Sequence, residues 1–178
     1  TNKRQGPTWI DIPLDIQAKQ INPNTLKSFK PPKMRKTLNN NQFNKIFKLI
    51  KSSSRPVIII GNGIHSSKSN KETIALIKKF NIPVLSSWNA SDILKSNNNK
   101  YIGRFGLFGD RASNFTVQNS DLLIILGSRM SQPQTGYNLS LFAPEAKYIY
   151  VDIDKNEIKK FSKKNIFSVI SDLKLFLM

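Results

Sequence analysis

The chain has 178 residues, 39% of them hydrophobic, with no cysteine, one histidine and a formal net charge of +17. That length suits one domain with a full core, the missing cysteines exclude disulfides and thiolate zinc sites, and the lone histidine removes most histidine-based metal and triad chemistry. A pI near 10.2 is the footprint of a nucleic-acid binder, but the lysines are scattered among asparagines and isoleucines, with no arginine-rich arm or aromatic-basic interleaving, so solvated lysine faces are favoured over a nucleic-acid partner.

In chain order, Gly6-Pro-Thr-Trp-Ile-Asp-Ile-Pro13 reads as a short strand ending where proline removes a backbone donor. Residues 18–41 show little periodicity, and Pro23, Pro31 and Pro32 among many Lys and Asn mark an extended linker. Phe43, Ile46, Phe47 and Ile50 recur at helical spacing, predicting an amphipathic helix from Gln42 to Ser52. Ordered alternation then begins. A strand from Val57 to Ile60 leads through Gly61-Asn-Gly63 to a helix burying Ile74, Ile77 and Phe80, then to a strand from Ile82 to Ser86. A short helix is expected between Asn89 and Leu94, and Asn97-Asn-Asn99 is a loop tip. The glycine-rich run Gly103 to Gly109 approaches a helix from Asp110 to Asn119, with Asp110 as its cap.

The most informative run is Asp121-Leu-Leu-Ile-Ile-Leu-Gly-Ser-Arg129, a strand from Leu122 to Leu126 delivering one cation just past its carboxyl end. An irregular stretch to Pro144 follows, then a strand from Tyr148 to Asp152, a helix from Lys155 to Phe161, a strand from Ile166 to Ile170 and a last helix from Leu173 to Met178. Alternating apolar strands and helices predict an α/β fold: a doubly wound parallel sheet with helices on both faces, Rossmann-like in kind. An unpartnered strand at one end and a short helix at the other suggest a middle piece of a longer polypeptide. No apolar run approaches the roughly 20 residues a membrane helix needs, and a cytoplasmic protein is expected.

Ligands of such sheets bind outside the carboxyl ends of the strands. Gly61 and Gly63 stand at a strand-to-helix turn, where they serve either a tight turn or the approach of a ligand phosphate; the third glycine of a dinucleotide fingerprint is Ser66 here. Gly106 and Gly109 allow close packing or a ligand wall. Arg129 serves either a ligand or an ion pair with Asp152 or Asp154, since a cation beside a buried strand needs compensation. Asp152 is placed to accept from a ribose hydroxyl, whereas Asp154 reads first as a helix cap. His65 reads as a solvated loop side chain. No carboxylate pair, nucleophile–base pair or metal cluster is evident, so no catalytic or metal residue is assigned.

These motifs carry a resemblance. Gly6 to Gln17 resembles the end of the pyrimidine-binding domain of thiamine diphosphate-dependent enzymes of the acetolactate synthase (acetohydroxyacid synthase) group. Arg55-Pro-Val-Ile-Ile-Ile-Gly-Asn-Gly63, Ile82-Pro-Val-Leu-Ser86, Gly106-Leu-Phe-Gly109, Val117 to Arg129, Thr135-Gly136 and Val151-Asp-Ile-Asp154 resemble that group's central domain in order. The resemblance implies a division into residues 1–17, the end of the preceding domain; 18–41, a linker; and 42–178, the central Rossmann-like domain. It implies a parent enzyme dependent on thiamine diphosphate and Mg2+, a carboligase or decarboxylase of 2-oxo acids. Those cofactors would lie in a first and a third domain, and the whole would form a homodimer or homotetramer. The fragment alone would be inactive. In the central domain the resemblance implies a nucleotide cleft for FAD or ADP, with Gly61, Gly63, Gly109, Arg129, Asp152 and Asp172 at the matching positions. Two departures touch that cleft: the group's second arginine is Pro133 here, and the histidine of its Met-His-Gly is Phe108. The alternative is a stand-alone NAD- or ADP-type nucleotide-binding or interaction module, similar in fold to sirtuin-like domains.

Overall fold

The computed structural model describes residues 6–30, 38–161 and 165–178. Gly6 to Pro13 is not a strand, contrary to expectation. Helical turn α1, Leu14–Gln17, follows instead, with the Ile16 and Gln17 amides donating to the Pro13 carbonyl. Strand geometry leaves backbone groups needing a neighbour; none of the described strands pairs with this segment. Of the expected linker, residues 31–37 lie outside the described residues.

Helix α2, Asn40–Ser52, starts two residues before its apolar period because Asn39 and Gln42 form a reciprocal capping box. Strand β1, Pro56–Ile60, is followed by the short helix α3, Gly63–Ser66, and by α4, Asn70–Lys79. Strand β2 is Val84–Ser86, shorter than expected. Pro83 has no amide to donate, and its carbonyl accepts from Ile58. The helix expected between Asn89 and Leu94 is a 3-10 turn at Trp88–Ala90.

Strand β3, Tyr101–Arg104, pairs with β2 where a glycine-rich loop was expected, and a register shift marks their pairing. Helix α5, Arg111–Gln118, begins after Asp110, whose side chain does not cap it. The Asp110 carboxylate instead accepts from the Arg104 amide at 2.9 Å, tying the end of β3 to the start of α5. Strand β4, Leu122–Leu126, is followed by short helix α6, Gln132–Thr135, inside the stretch expected to be irregular. Strand β5, Lys147–Asp152, helix α7, Lys155–Lys159, strand β6, Ile166–Ile170, and helix α8, Leu173–Leu177, complete the chain.

All six strands are parallel, in the order β3-β2-β1-β4-β5-β6. Pleating sends alternate side chains to opposite faces. Ile58, Ile60, Ile124, Leu126, Ile149 and Val151 pack on one face with Ile46 of α2, Ile77 of α4 and Phe176 of α8. Val57, Ile59, Leu123, Ile125, Tyr148 and Tyr150 pack on the other with Val117 of α5 and Ile158 of α7. Coverage on both faces is why these strands read as unbroken apolar runs. Each buried Ile or Leu contributes roughly 1.5–3 kcal/mol relative to exposure.

The order reverses at β1, which has β2 on one side and β4 on the other. The chain leaves those two strands towards opposite sides, opening a crevice at their carboxyl ends.

Candidate functional site

A cleft of about 560 Å³ occupies that crevice. Its walls come from the loops after five strands: Asn62 and Gly63 after β1, Ser87 and Trp88 after β2, Gly127 to Arg129 after β4, Asp152 and Ile153 at the end of β5, and Ser171 to Leu173 after β6. The predicted Gly63, Arg129, Asp152 and Asp172 line it together, while Gly61 and Gly109 do not.

The glycine turn is spent on the protein's own backbone. The Gly61 amide donates to Leu126 and the Gly63 amide to Gly127, at 3.0 and 2.9 Å. A Cβ on Gly61 would stand 2.4 Å from the Gly127 oxygen, and one on Gly63 would stand 2.7 Å from the Gly127 Cα. No L side chain fits contacts of that kind, so the missing Cβ atoms let the β1 and β4 turns touch. Of the two open readings of this turn, close packing is the one the geometry displays. Gly109 lies against the Arg104 and Phe105 backbone in the loop between β3 and α5.

The Ser128–Met130 turn is fixed from beneath. The Tyr150 hydroxyl donates to the Ser128 carbonyl at 2.6 Å, and the buried Met130 holds a positive φ of 48°. A non-glycine residue in that region costs of order 1 kcal/mol and persists where surrounding contacts enforce it. Arg129 is left with its side chain 64% exposed, its Nε donating to Glu157 Oε1 at 2.8 Å. The expected partners, Asp152 and Asp154, are engaged elsewhere. Asp152 Oδ1 accepts from the Asp154 amide, and Asp154 Oδ1 accepts from Asn156 as the cap of α7, the role first assigned to it.

Glu157 is the residue the sequence reading missed. Its side chain is buried to 7% and also meets the Lys160 ammonium. Burial alone would raise its pKa, but the hydrogen bond and charge of Lys160, with those of Arg129, outweigh it and hold the carboxyl below the ordinary glutamate range. The available signal was Asp154-Lys-Asn-Glu157, the spacing of a capped first turn. Asp172 likewise caps a helix, accepting from the Lys174 and Leu175 amides of α8 at 2.9 and 3.3 Å.

Two cations, Arg129 and Lys160, and two carboxylates, Asp152 and Asp172, are the charged residues of the lining, so the cleft is formally neutral in a strongly basic chain. Serine and asparagine side chains and the Trp88 ring make up much of the rest. Such a lining offers hydroxyl and ring recognition, and the cation charge that a diphosphate would need is already balanced by Glu157. His65 is not a free loop residue. Its Nε2 lies 2.9 Å from Asp92 and its Nδ1 lies 3.3 Å from Asn70. The hydrogen bond from His65 lowers the Asp92 pKa. Among the described residues no three His, Cys, Asp or Glu side chains converge as a metal site, and no helix is long and apolar enough to cross a membrane.

The fold and the motifs can be set beside known proteins. The chain is 35% identical to a probable acetolactate synthase large subunit of Methanocaldococcus jannaschii over 98% of its own length and 30% of that protein's. It is 33% identical to the chloroplastic acetolactate synthase 3 of Brassica napus over 99% of the chain and 27% of the relative. With the large subunit of acetolactate synthase isozyme 1 of Escherichia coli the identity is 29% over 92% of the chain and 28% of the relative. The chain thus spans about 30% of the length of the curated relatives it matches. Residues 43–178 match the family described as thiamine pyrophosphate enzyme, central domain. With that match running from α2 through all six parallel strands to α8, the chain belongs to the thiamine pyrophosphate enzyme family as its central domain.

Proposed function

We propose that this chain is the central domain of an acetolactate-synthase-like enzyme acting on 2-oxo acids, a carboligase or decarboxylase dependent on thiamine diphosphate and Mg2+. The domain serves as scaffold and interface within the enzyme, and its cleft takes a nucleotide. The carrying observation is that nearly the whole chain aligns with about 30% of several acetolactate synthase large subunits, in the same order of motifs.

Thiamine diphosphate and Mg2+ would be held by first and third domains of the same polypeptide, in a cytoplasmic homodimer or homotetramer. Bound there, thiamine diphosphate supplies the carbanion chemistry that 2-oxo acids require. This chain's residues supply none of the acid–base groups of that reaction, and the cleft is remote in kind from such work. The amino-terminal residues support a covering neighbour. Trp9 is 92% exposed, and Ile10, Ile12, Leu14, Ile21 and Phe29 are also exposed, an apolar series that an isolated domain would not favour.

The test compares the natural gene product with the 178-residue chain. The former should form acetolactate from pyruvate with thiamine diphosphate and Mg2+, and the chain alone should form none. Turnover by the chain alone, or a natural product that neither carboligates nor decarboxylates 2-oxo acids, overturns the proposal.

A further inference from the structure

We infer that Trp88 and Phe108 form a stacking platform for the planar ring of the cleft's nucleotide, and that this ring supplies more of the affinity than the phosphates do. The inference rests on the reading of the cleft as a nucleotide site.

Trp88 lines the cleft and is 45% exposed, and Phe108 beside it is 69% exposed. Their ring centroids are 5.4 Å apart with planes tilted by 48°. Two large aromatic rings kept in water at the mouth of a cleft represent unspent burial.

Their backbones are held in place. After β2 the Ser87 amide donates to the Ile60 carbonyl at 2.9 Å, and the 3-10 turn that carries Trp88 closes on itself. Beyond β3, the Asn114 side chain both accepts from the Gly106 amide and donates to its carbonyl, at 2.8 and 3.0 Å. The Leu107 amide donates to Pro133 at 2.7 Å. Rings on fixed backbone lose little conformational freedom on binding, so stacking translates into affinity with small ordering cost.

The charges point the same way. Arg129 and Lys160 are both ion-paired with Glu157, and the two carboxylates of the lining match them in number. A phosphate entering this cleft therefore finds little net positive charge. A base finds a π surface, and base–aromatic stacking tolerates different rings because each has a flat face.

The experiment is calorimetric titration of the full natural polypeptide at physiological salt with adenosine, ADP and ribose 5-phosphate, repeated with Trp88→Leu and Phe108→Leu. Leucine keeps both half-exposed sites apolar, and a thermal melt checks that each variant folds. Adenosine and ADP should bind within about threefold of each other, ribose 5-phosphate should not bind, and each variant should weaken both nucleosides by about tenfold. If ADP binds and both variants bind it equally well, the platform is wrong while the nucleotide reading stands. If ADP binds far more tightly than adenosine, with a steep salt dependence, recognition is through phosphate and the inference falls. If none of the three binds, the cleft reading itself falls and the platform with it, and the rings are covered by another part of the polypeptide.

Discussion

Arg129 donates through Nε to the buried Oε1 of Glu157 at 2.8 Å, so the cation delivered by β4 to the cleft is tied to the first turn of α7. This pair, with Lys160 on the second carboxylate oxygen, joins the two elements that bound one side of the crevice. It also sets how much positive charge the cleft presents.

Glu157→Gln should therefore raise the affinity for ADP. Releasing the balance on two cations adds the equivalent of one charge-assisted contact, about tenfold in affinity. Stability should fall by about 1–2 kcal/mol, because the cations left behind are largely exposed and remain solvated. Calorimetric titration with ADP and urea denaturation measure the two effects. An unchanged ADP affinity would show that neither cation faces the nucleotide.

FAD should bind weakly. Its diphosphate carries two charges that need compensation, and Pro133 lines the cleft with neither a cation nor an amide donor, its carbonyl being engaged by Leu107. A missing guanidinium contact corresponds to about tenfold to a hundredfold in affinity. Pro133→Arg should recover affinity in that range, read by flavin fluorescence. Submicromolar FAD binding by the natural sequence, abolished by Arg129→Ala, would show that Arg129 alone suffices.

Gly63→Ala should destabilise the fold by about 1–3 kcal/mol, the usual cost of forcing a methyl into filled space. The clash is with backbone at Gly127, which has no rotamer to give way. Gly6→Ala, with nothing within 4 Å of its Cβ, serves as the matched control and should be near neutral. Equal urea midpoints for the two variants would contradict the close approach of the β1 and β4 turns.

Asp121 should contribute to acid sensitivity. Burial works to raise its pKa, and the Ser53 hydroxyl with the Ser54 and Arg55 amides outweighs this and lowers it. With the folded value below the unfolded one, its stabilisation is present above the ordinary aspartate range and is lost as pH falls through the folded value. The carboxylate at the start of β4 thereby holds the start of β1 beside it. Asp121→Asn should lower stability at neutral pH and flatten the acid limb of a stability-against-pH curve. A variant with the same acid limb would remove Asp121 from that role.

The local and the apolar features were legible in the residues themselves. Val57 to Ile60 and Leu122 to Leu126 are continuous apolar runs because a parallel strand buried on both faces admits nothing else, and the Asp154 cap is a hydrogen bond spanning two residues. Tertiary structure decided what depends on partners distant in sequence. β3 carries Gly103 and lies at the sheet edge, so it has no apolar signature; its pairing with β2 defines it. The segment before Pro13 has strand-like composition but no neighbour to pair with, and composition alone does not make a ladder. Arg129 chose Glu157 because Asp152 and Asp154 were already engaged with backbone amides, a competition that spacing does not reveal. Trp88 and Phe108 meet because parallel strands β2 and β3 end side by side, and that adjacency exists once the sheet has formed.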